Sequence, residues 1–153
     1  MTSFKFKFSV LLIAGLFFTG CSATNVRSCD NGTPRPLSTD IANCKTMPCN
    51  IVRGATVVMD IIFENPRYTE TTRPKAVAFA LGQIVDYPLG QTNGCQGFTN
   101  IRCPIDPGDR VRYHFELNVL SLYPKISFEL TFSLLDESEK EIFCFVVDAQ
   151  VVD

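Results

Sequence analysis

Two stretches of this 153-residue chain alternate apolar and polar residues with a period of two, and this pattern limits the fold more than any other feature. Apolar residues occupy every second position from Val111 to Val119, and the segment from Ile126 to Leu134 repeats the pattern. Because successive side chains of a β-strand point to opposite faces, each stretch predicts a strand with one face in the core and one in water. No stretch shows a convincing helical period. The chain is therefore predicted to be all-β.

The second of these strands begins a predicted hairpin. The acidic segment from Asp136 to Lys140 is expected to form its solvated tip, and the return strand begins with Ile142 to Val147, which is apolar on both sides. One face of the return strand can meet the inward face of its partner. This face would consist of Phe143, Phe145, Val147, Ala149 and Val151.

Further apolar segments precede the hairpin. A short strand is predicted from Ile41 to Thr46, turning at Met47-Pro48, and another from Val57 to Phe63. The run from Ala76 to Val85 is predicted to place Val85 inward. In this run Val77, Phe79, Leu81 and Val85 share one face, and Ala76, Ala78, Ala80 and Gly82 share the other. Six or seven strands separated by Gly and Pro turns predict a two-sheet antiparallel, immunoglobulin-like sandwich.

The first 23 residues have the pattern of a secretory signal peptide. Two lysines precede an apolar run from Val10 to Phe18, which is too short to span a bilayer. We predict cleavage after Ala23, which leaves one domain at residues 24–153. The segment Phe18-Thr19-Gly20-Cys21 also resembles a bacterial lipoprotein acylation site, with an unusual Phe at its first position. In a secreted chain, the sequon Asn31-Gly32-Thr33 predicts glycosylation at Asn31.

Six cysteines besides Cys21 give the even number expected of a disulfide framework. Two pairs are close in sequence and can each close a local turn, which leaves the first and last cysteines to pair with each other. The predicted disulfides are Cys29–Cys144, Cys44–Cys49 and Cys95–Cys103. A zinc site is the competing interpretation, but the chain has one histidine and no Cys-x-x-Cys pair. We therefore predict no metal.

Charge and polar residues argue against several function classes. Signal cleavage would leave 12 basic and 16 acidic residues, a net charge of −4 without a basic stripe, which argues against nucleic acid and stable membrane attachment. His114 alternates with apolar neighbours and is predicted to point to solvent. A hydrolase using His114 is the residual enzyme hypothesis, but no second histidine or phosphate-binding glycine loop supports catalysis. No cofactor is predicted.

Residues around the cysteines resemble those of a known family. The segments Met47-Pro48-Cys49 with Arg53-Gly54, Cys103-Pro104-Ile105, Tyr123-Pro124 and Phe143-Cys144-Phe145 are similar to motifs of the ML lipid-recognition family. The match looks best to the Niemann-Pick C type 2 sterol carriers, and it covers nearly all of the chain after the signal peptide. The resemblance implies a sandwich whose sheets splay to hold one lipid in an apolar cavity, with the three disulfides given above.

The resemblance also implies which residues line that cavity. By position they are Ile51, Val57, Met59, Phe63, Val85 and Tyr87, then Val119, Tyr123 and Pro124 near the mouth, and Phe132, Phe145 and Val147 deeper in. Phe132 and Phe145 stand where vertebrate sterol carriers have tryptophan, and Tyr87 replaces a phenylalanine. Because each position keeps an aromatic ring, an apolar pocket is still expected. These departures resemble arthropod members of the family.

The implied function is a secreted or endolysosomal carrier that holds and transfers a sterol or similar apolar lipid. A membrane sterol transporter of the Niemann-Pick C type 1 class is an implied partner. One alternative is recognition of bacterial lipids in innate immunity, as in the related lipopolysaccharide co-receptors. Another is extracellular transport of fatty acids or semiochemicals. An anionic lipopolysaccharide headgroup needs a basic rim, for which Arg67, Arg73 and Lys75 are the loop candidates.

Overall fold

The computed structural model describes residues 23–153, so the predicted signal peptide lies outside the described residues, apart from Ala23. Its strands are β1 (Arg27–Ser28), β2 (Ser38–Ile41), β3 (Cys49–Val52), β4 (Thr56–Glu64), β5 (Thr72–Ala80), β6 (Gln83–Tyr87), β7 (Arg110–Asn118), β8 (Ser127–Asp136) and β9 (Glu141–Val152). One 3-10 turn, Gly94–Gly97, is the other regular element of these residues. The all-β prediction is confirmed. No helix within residues 23–153 is long and apolar enough to cross a membrane.

The strands form the predicted two-sheet sandwich. The larger sheet has the order β1-β9-β8-β5-β6, with β3 also paired to β9, and the smaller sheet has the order β2-β4-β7. All pairings are antiparallel except that of β3 with β9, which is parallel. The structure contains the three disulfides Cys29–Cys144, Cys44–Cys49 and Cys95–Cys103. The strand count exceeds the prediction because β1, β2 and β3 are too short to show an alternating pattern.

The core lies between the two sheets and is built by the alternation read from the sequence. Along β7, the residues Val111, Tyr113, Phe115 and Leu117 are buried, and the residues between them are not. The strand β9 is buried on both sides from Ile142 to Val147. Its second side is covered because Cys144 is bonded to Cys29, and the Cys144 backbone N–H donates to the Pro34 carbonyl at 3.1 Å. The N-terminal segment therefore replaces water on the outer face of β9.

Two predicted strands differ from the structure. The strand predicted from Ile41 to Thr46 is wrong, since β2 ends at Ile41. Its continuation is a turn in which Asn43 has φ 64° and the Cys44 N–H donates to the Ile41 carbonyl at 3.0 Å. Asparagine tolerates this left-handed conformation through local side-chain hydrogen bonding, so the chain turns there instead of extending.

The apolar run from Ala76 to Val85 forms a hairpin and not one strand. Leu81 and Gly82 both have positive φ, 52° and 76°, as a tight two-residue hairpin turn requires. The turn resets the alternation, so Val85 of β6 lies opposite Ala78 of β5 and shares its face. The small residues of β5 therefore face the sandwich interior, and Phe79 is 49% exposed. The predicted assignment of Phe79 to the same face as Val85 is wrong.

Asp136 also differs from the prediction, because it is buried and not a solvated tip residue. Its carboxylate accepts backbone N–H groups from Ser138 at 2.8 Å and Lys140 at 3.0 Å, and it pairs with the Arg67 guanidinium. Burial opposes the charged form, but the Lys140 N–H and Arg67 outweigh it and lower the pKa of Asp136. The tip is thus anchored to the loop that follows β4.

Candidate ligand-binding site

An apolar pocket of about 460 Å³ opens at the end of the sandwich where the β5–β6 hairpin approaches the segment between β7 and β8. Its lining consists of Ala78, Ala80, Val85, Asp86, Tyr87, Pro88, Leu120, Tyr123, Pro124, Ile126, Phe128 and Val151. Asp86 is the one charged side chain in this lining. The volume lies within the roughly 300–1,000 Å³ typical of small-molecule sites. We call this space the mouth pocket.

Behind the mouth pocket lies a small inner void of about 20 Å³ between the two sheets. The void is lined by Ile51, Tyr87, Leu117, Val119, Tyr123, Phe128, Leu130 and Val151. Tyr87, Tyr123, Phe128 and Val151 line both spaces, so these four side chains separate the mouth pocket from the void. The void is about one water in size. A lipid that reaches between the sheets must therefore displace side chains.

Aromatic rings fill the interior beyond the inner void. The rings of Phe115 and Phe132 lie 5.0 Å apart across the two sheets, as do those of Phe63 and Phe143. Phe132 also contacts Phe145 at 5.6 Å. Centroid distances in this range are those of favourable aromatic pairs. The deep part of the sandwich is thus closed, and the open space lies at one end.

The residues predicted from the family resemblance fall into three groups. Val85, Tyr87, Tyr123 and Pro124 line the mouth pocket, and Ile51 and Val119 line the inner void together with the two tyrosines. The deep group, Met59, Phe63, Phe132, Phe145 and Val147, is buried in the filled core, and Val57 is partly buried against it. The structure brings the first two groups together around one opening. The deep group contacts a ligand only if the rings move apart.

Several lining residues were missing from the predicted set. Leu117, Phe128, Leu130 and Val151 lie on faces that the two-residue period had assigned inward, so the sequence contained the signal. Leu120 had no such signal, because it lies in the irregular segment after β7. Ala78 and Ala80 were predicted on the face opposite Val85, because the prediction treated residues 76–85 as one strand without the turn at Leu81-Gly82.

Tyr87 connects the two sheets at the mouth. Its ring packs edge-on against that of Tyr123 with centroids 5.7 Å apart, and its hydroxyl donates to the Asn118 carbonyl at 3.1 Å. Tyr87 belongs to the edge strand of the larger sheet, and Asn118 ends β7 of the smaller sheet. Burial raises the pKa of Tyr87, and the neighbouring Tyr123 hydroxyl raises it further. The hydroxyl is therefore protonated, and can donate, at any physiological pH.

Apolar and charged side chains surround the mouth. Leu120 is 52% exposed and Leu122 is 90% exposed, beside the Tyr123 lining residue. Lys125, two residues after Tyr123 in the chain, pairs with Asp153, and Arg53 pairs with the same carboxylate. Lys125 first, and then Arg53, lower the pKa of the Asp153 carboxyl. These ion pairs fasten the C-terminal segment to the loop that forms one wall of the mouth.

The side chains considered for catalysis and metal binding do not line the mouth pocket. His114 is exposed on β7, where its Nδ1 lies 2.7 Å from Asp60 and its Nε2 lies 3.4 Å from Glu116. The hydrogen bond to Asp60 raises the pKa of His114. No nucleophilic hydroxyl or thiol is hydrogen-bonded to this histidine among residues 23–153. Across the same residues, no three His, Cys, Asp or Glu side chains are grouped to hold a metal ion.

Two of the three predicted rim cations, Arg67 and Arg73, and the glycosylation sequon contact acidic side chains. Arg67 pairs with Asp136, and Arg73 pairs with Glu139. At the sequon, the Asn31 Nδ2 and the Thr33 hydroxyl donate to the same Glu141 oxygen at 2.6 and 2.7 Å. The two arginines therefore already have anionic partners, and the Asn31 amide is exposed but hydrogen-bonded.

The fold and the site together define a small disulfide-bonded β-sandwich with an apolar pocket that opens at one end. The ML domain family model matches residues 23–151, so the chain belongs to the ML domain family. It is 26% identical over 144 residues to the NPC intracellular cholesterol transporter 2 of Danio rerio, covering 94% of this chain and 95% of that protein. It is 26% identical over 148 residues to the NPC intracellular cholesterol transporter 2 homolog a of Drosophila melanogaster. That alignment covers 95% of this chain and 98% of the Drosophila protein.

A solved structure supports the fold. The crystal structure of a Niemann-Pick type C2 protein from the Japanese carpenter ant aligns with a TM-score of 0.75 at 19% identity. The alignment covers 84% of this chain and 99% of the ant protein. The sandwich is therefore shared with a Niemann-Pick type C2 protein, and the resemblance read from the cysteine-flanking motifs is confirmed.

Proposed function

We propose that this chain is a carrier that holds one sterol or similar apolar lipid between its sheets and transfers it. The mouth pocket carries this proposal, because its lining is almost entirely apolar and it leads to the inner void between the sheets. Such a lining suits a hydrocarbon ligand and offers few groups to a polar substrate. The Danio rerio and Drosophila melanogaster relatives are named as cholesterol transporters, which supports a sterol as the ligand.

The expected affinity follows from the area that a lipid can bury. A ligand that removes roughly 400 Å² of apolar surface from water gains about 10 kcal/mol at 25 cal/mol per Å². Association and ordering cost several kcal/mol, which leaves a Kd of roughly micromolar to nanomolar. This range allows a lipid to be carried through water and released to an acceptor.

The ligand in this proposal reaches beyond the mouth pocket. A rigid sterol that enters end-on must enlarge the void of about 20 Å³ by separating the sheets. The deep residues Met59, Phe63, Phe132, Phe145 and Val147 then become the far wall of the cavity. The mouth residues Val85, Tyr87, Tyr123 and Pro124 contact the ligand first, with Ile51, Val57 and Val119 between the two groups. Tyr123 can donate its hydroxyl to a polar headgroup at the rim.

The polar chemistry around the pocket favours this carrier over the alternatives. Recognition of an anionic bacterial lipid needs free cations at the mouth, but none of Arg67, Arg73 and Lys75 lines the mouth pocket, and the two arginines pair with Asp136 and Glu139. Hydrolysis needs a nucleophile and a base at the pocket, and His114 lies on the outer face of β7 between carboxylates. We therefore propose a non-enzymatic carrier without a cofactor.

We also propose where the protein acts. Residues 1–23 are proposed to be a signal peptide, and residues 24–153 to be secreted and to act outside the cell or in the endolysosomal lumen. Asn31 is the proposed glycan acceptor, and its exposed amide suits that role once it leaves Glu141. A membrane sterol transporter of the Niemann-Pick C type 1 class is the proposed receiver of the ligand. Edman sequencing and enzymatic deglycosylation of the secreted protein test the first two statements.

The carrier function is tested by identifying the natural ligand. We expect the protein purified from its native source to contain a sterol or another neutral lipid at close to one molecule per chain, as measured by mass spectrometry. The delipidated protein should bind the fluorescent sterol dehydroergosterol and transfer it between vesicles. Recovery of lipid A would instead support bacterial lipid recognition, and recovery of fatty acids or volatile compounds would support the other carrier role. A protein that copurifies with no lipid and binds none of these probes would refute the proposal.

A further inference from the structure

The mouth of the sandwich is hinged on one side and open on the other. On one side, the turn formed by residues 53–55 joins β3 of the larger sheet to β4 of the smaller sheet, so the sheets cannot separate there. The Gly54 N–H reinforces this turn by donating to the Val119 carbonyl at 2.9 Å. On the other side, β6 is the free edge of the larger sheet, and it has no backbone pairing with β7. Separation of the sheets must therefore occur along the edge formed by β6.

At the mouth, one side-chain hydrogen bond closes that edge; beyond β6, the Tyr113 hydroxyl also donates to the Gln91 side chain at 2.9 Å. The Tyr87 hydroxyl donates to the Asn118 carbonyl at 3.1 Å, and no other hydrogen bond joins β6 to β7 among residues 23–153. The Tyr87 ring also forms part of the wall between the mouth pocket and the inner void. The same residue therefore blocks the way in and fastens the edge that must open.

We propose that Tyr87 is a latch whose hydrogen bond to Asn118 holds the mouth closed and so limits how fast ligand enters the sandwich. This inference rests on the proposed carrier function. The ring of Tyr87 supplies apolar lining in both the closed and the open state. The hydroxyl acts on the closed state, because the acceptor at Asn118 lies on the opposite sheet and moves away when the sheets separate. Tyr87 is thus a positioning residue for the gate and not the group that recognises the ligand.

The variant Tyr87→Phe separates these two roles. It keeps the ring, and with it the edge-on contact with Tyr123, but it removes the donor. Removing a neutral hydrogen bond changes an equilibrium constant by roughly three- to tenfold. Because the sheets are separated in the bound state, we expect the association rate of dehydroergosterol to increase by about three- to tenfold with little change in its dissociation rate, so the Kd should fall by about the same factor. Tyr68→Phe is the matched control, because Tyr68 is 51% exposed and lines neither space.

A second measurement reports opening without any ligand. Leu117 lines the inner void and is 6% exposed, so the thiol of Leu117→Cys can be alkylated only when the mouth opens. The natural cysteines of the described chain are all in disulfides and do not compete. Adding Tyr87→Phe to this variant should increase the rate of iodoacetamide labelling by the same three- to tenfold. Adding Tyr68→Phe should leave the rate unchanged.

The outcomes distinguish the latch from the carrier function. Faster labelling together with faster association of dehydroergosterol supports the latch. An unchanged labelling rate overturns the latch, whether or not the protein binds lipid. A weakened Kd with an unchanged association rate also overturns it, because the hydroxyl would then bind the ligand directly. Faster labelling in a protein that binds no apolar probe would refute the carrier function and leave the latch as a property of the sandwich.

Discussion

Enlarging Ala78 tests directly whether the mouth pocket is empty space that a ligand uses. Ala78 lies on β5 between Val85 of β6 and Leu130 of β8, and its side chain lines the pocket of about 460 Å³. In Ala78→Leu the larger side chain can extend into this space without displacing neighbours. Overpacking of a filled core costs about 1–3 kcal/mol. Because the site is open, we expect the free energy of unfolding to change by less than about 0.5 kcal/mol.

The same substitution should damage binding. One additional or missing methylene in an apolar pocket changes binding by about 1–3 kcal/mol, or 10- to 200-fold. Ala78→Leu adds three carbon atoms within the pocket, so we expect the Kd for dehydroergosterol to rise at least tenfold. Fluorescence titration measures the Kd, and urea unfolding followed by circular dichroism measures the stability. Val77→Leu is the control, since Val77 is the neighbouring residue on β5 and does not line the pocket.

Two results would refute this reasoning in different ways. Wild-type affinity in Ala78→Leu would show that the bound ligand does not occupy the mouth pocket. A loss of stability above about 1 kcal/mol would show that the space beside Ala78 is filled in solution. An equal loss of affinity in Val77→Leu would show that the effect comes from β5 as a whole and not from the pocket.

Three further predictions concern the rim, the framework and a surface histidine. Tyr123→Phe should weaken binding of lipids that carry a hydroxyl or carboxylate but not of a matched hydrocarbon, and equal affinities in parallel titrations would argue against a headgroup contact. Replacing both Cys29 and Cys144 by Ala should lower the free energy of unfolding by about 4.8 kcal/mol, because their separation of 115 residues closes a long loop; a urea-measured loss under about 1 kcal/mol would contradict this. Because Asp60 raises the pKa of His114, this contact adds stability below the unfolded pKa of about 6.5 and loses it as pH rises through the folded pKa. The stability difference between wild type and His114→Gln should therefore be larger at pH 5 than at pH 8 in urea titrations, and a difference independent of pH would exclude the effect.

The sequence predicted the sandwich where local pattern and tertiary packing agree. From Val111 to Val119 a single face is buried, so the period of two identified both the strand and its inward residues. The hairpin from Ala76 to Tyr87 behaved differently, because the turn at Leu81-Gly82 reset the alternation and placed alanines beside the pocket. Gly82 was a sign of this reset, because an isolated glycine inside a strand pattern indicates a turn or a bulge. Asp136 was assigned to solvent because Arg67, its distant partner, becomes its neighbour only in the folded chain.

The candidate site was predictable in position but not in shape. The family resemblance gave residues from the mouth to the deep interior, and all of them lie at or between the two sheets. A period of two shows which side chains point inward, but it contains no information on how far apart the sheets lie. The spacing depends on how rings such as Phe115 and Phe132 pack across the interface, which is a tertiary property. The closed deep interior therefore became visible only in the structure.

A closed interior is compatible with a lipid carrier if the ligand provides the free energy that opens it. The two cross-sheet contacts, Phe115 with Phe132 and Phe63 with Phe143, are each worth about 0.5–1.5 kcal/mol beyond their buried area. Separating both costs about 1–3 kcal/mol, which is smaller than the roughly 10 kcal/mol gained by burying a lipid. A short ligand that fills only the mouth pocket does not need to separate these rings, but it also buries less apolar surface. Among ligands that enter the deep interior, the ring contacts therefore favour those apolar enough to replace them, and they keep the aromatic interior away from water when no ligand is bound.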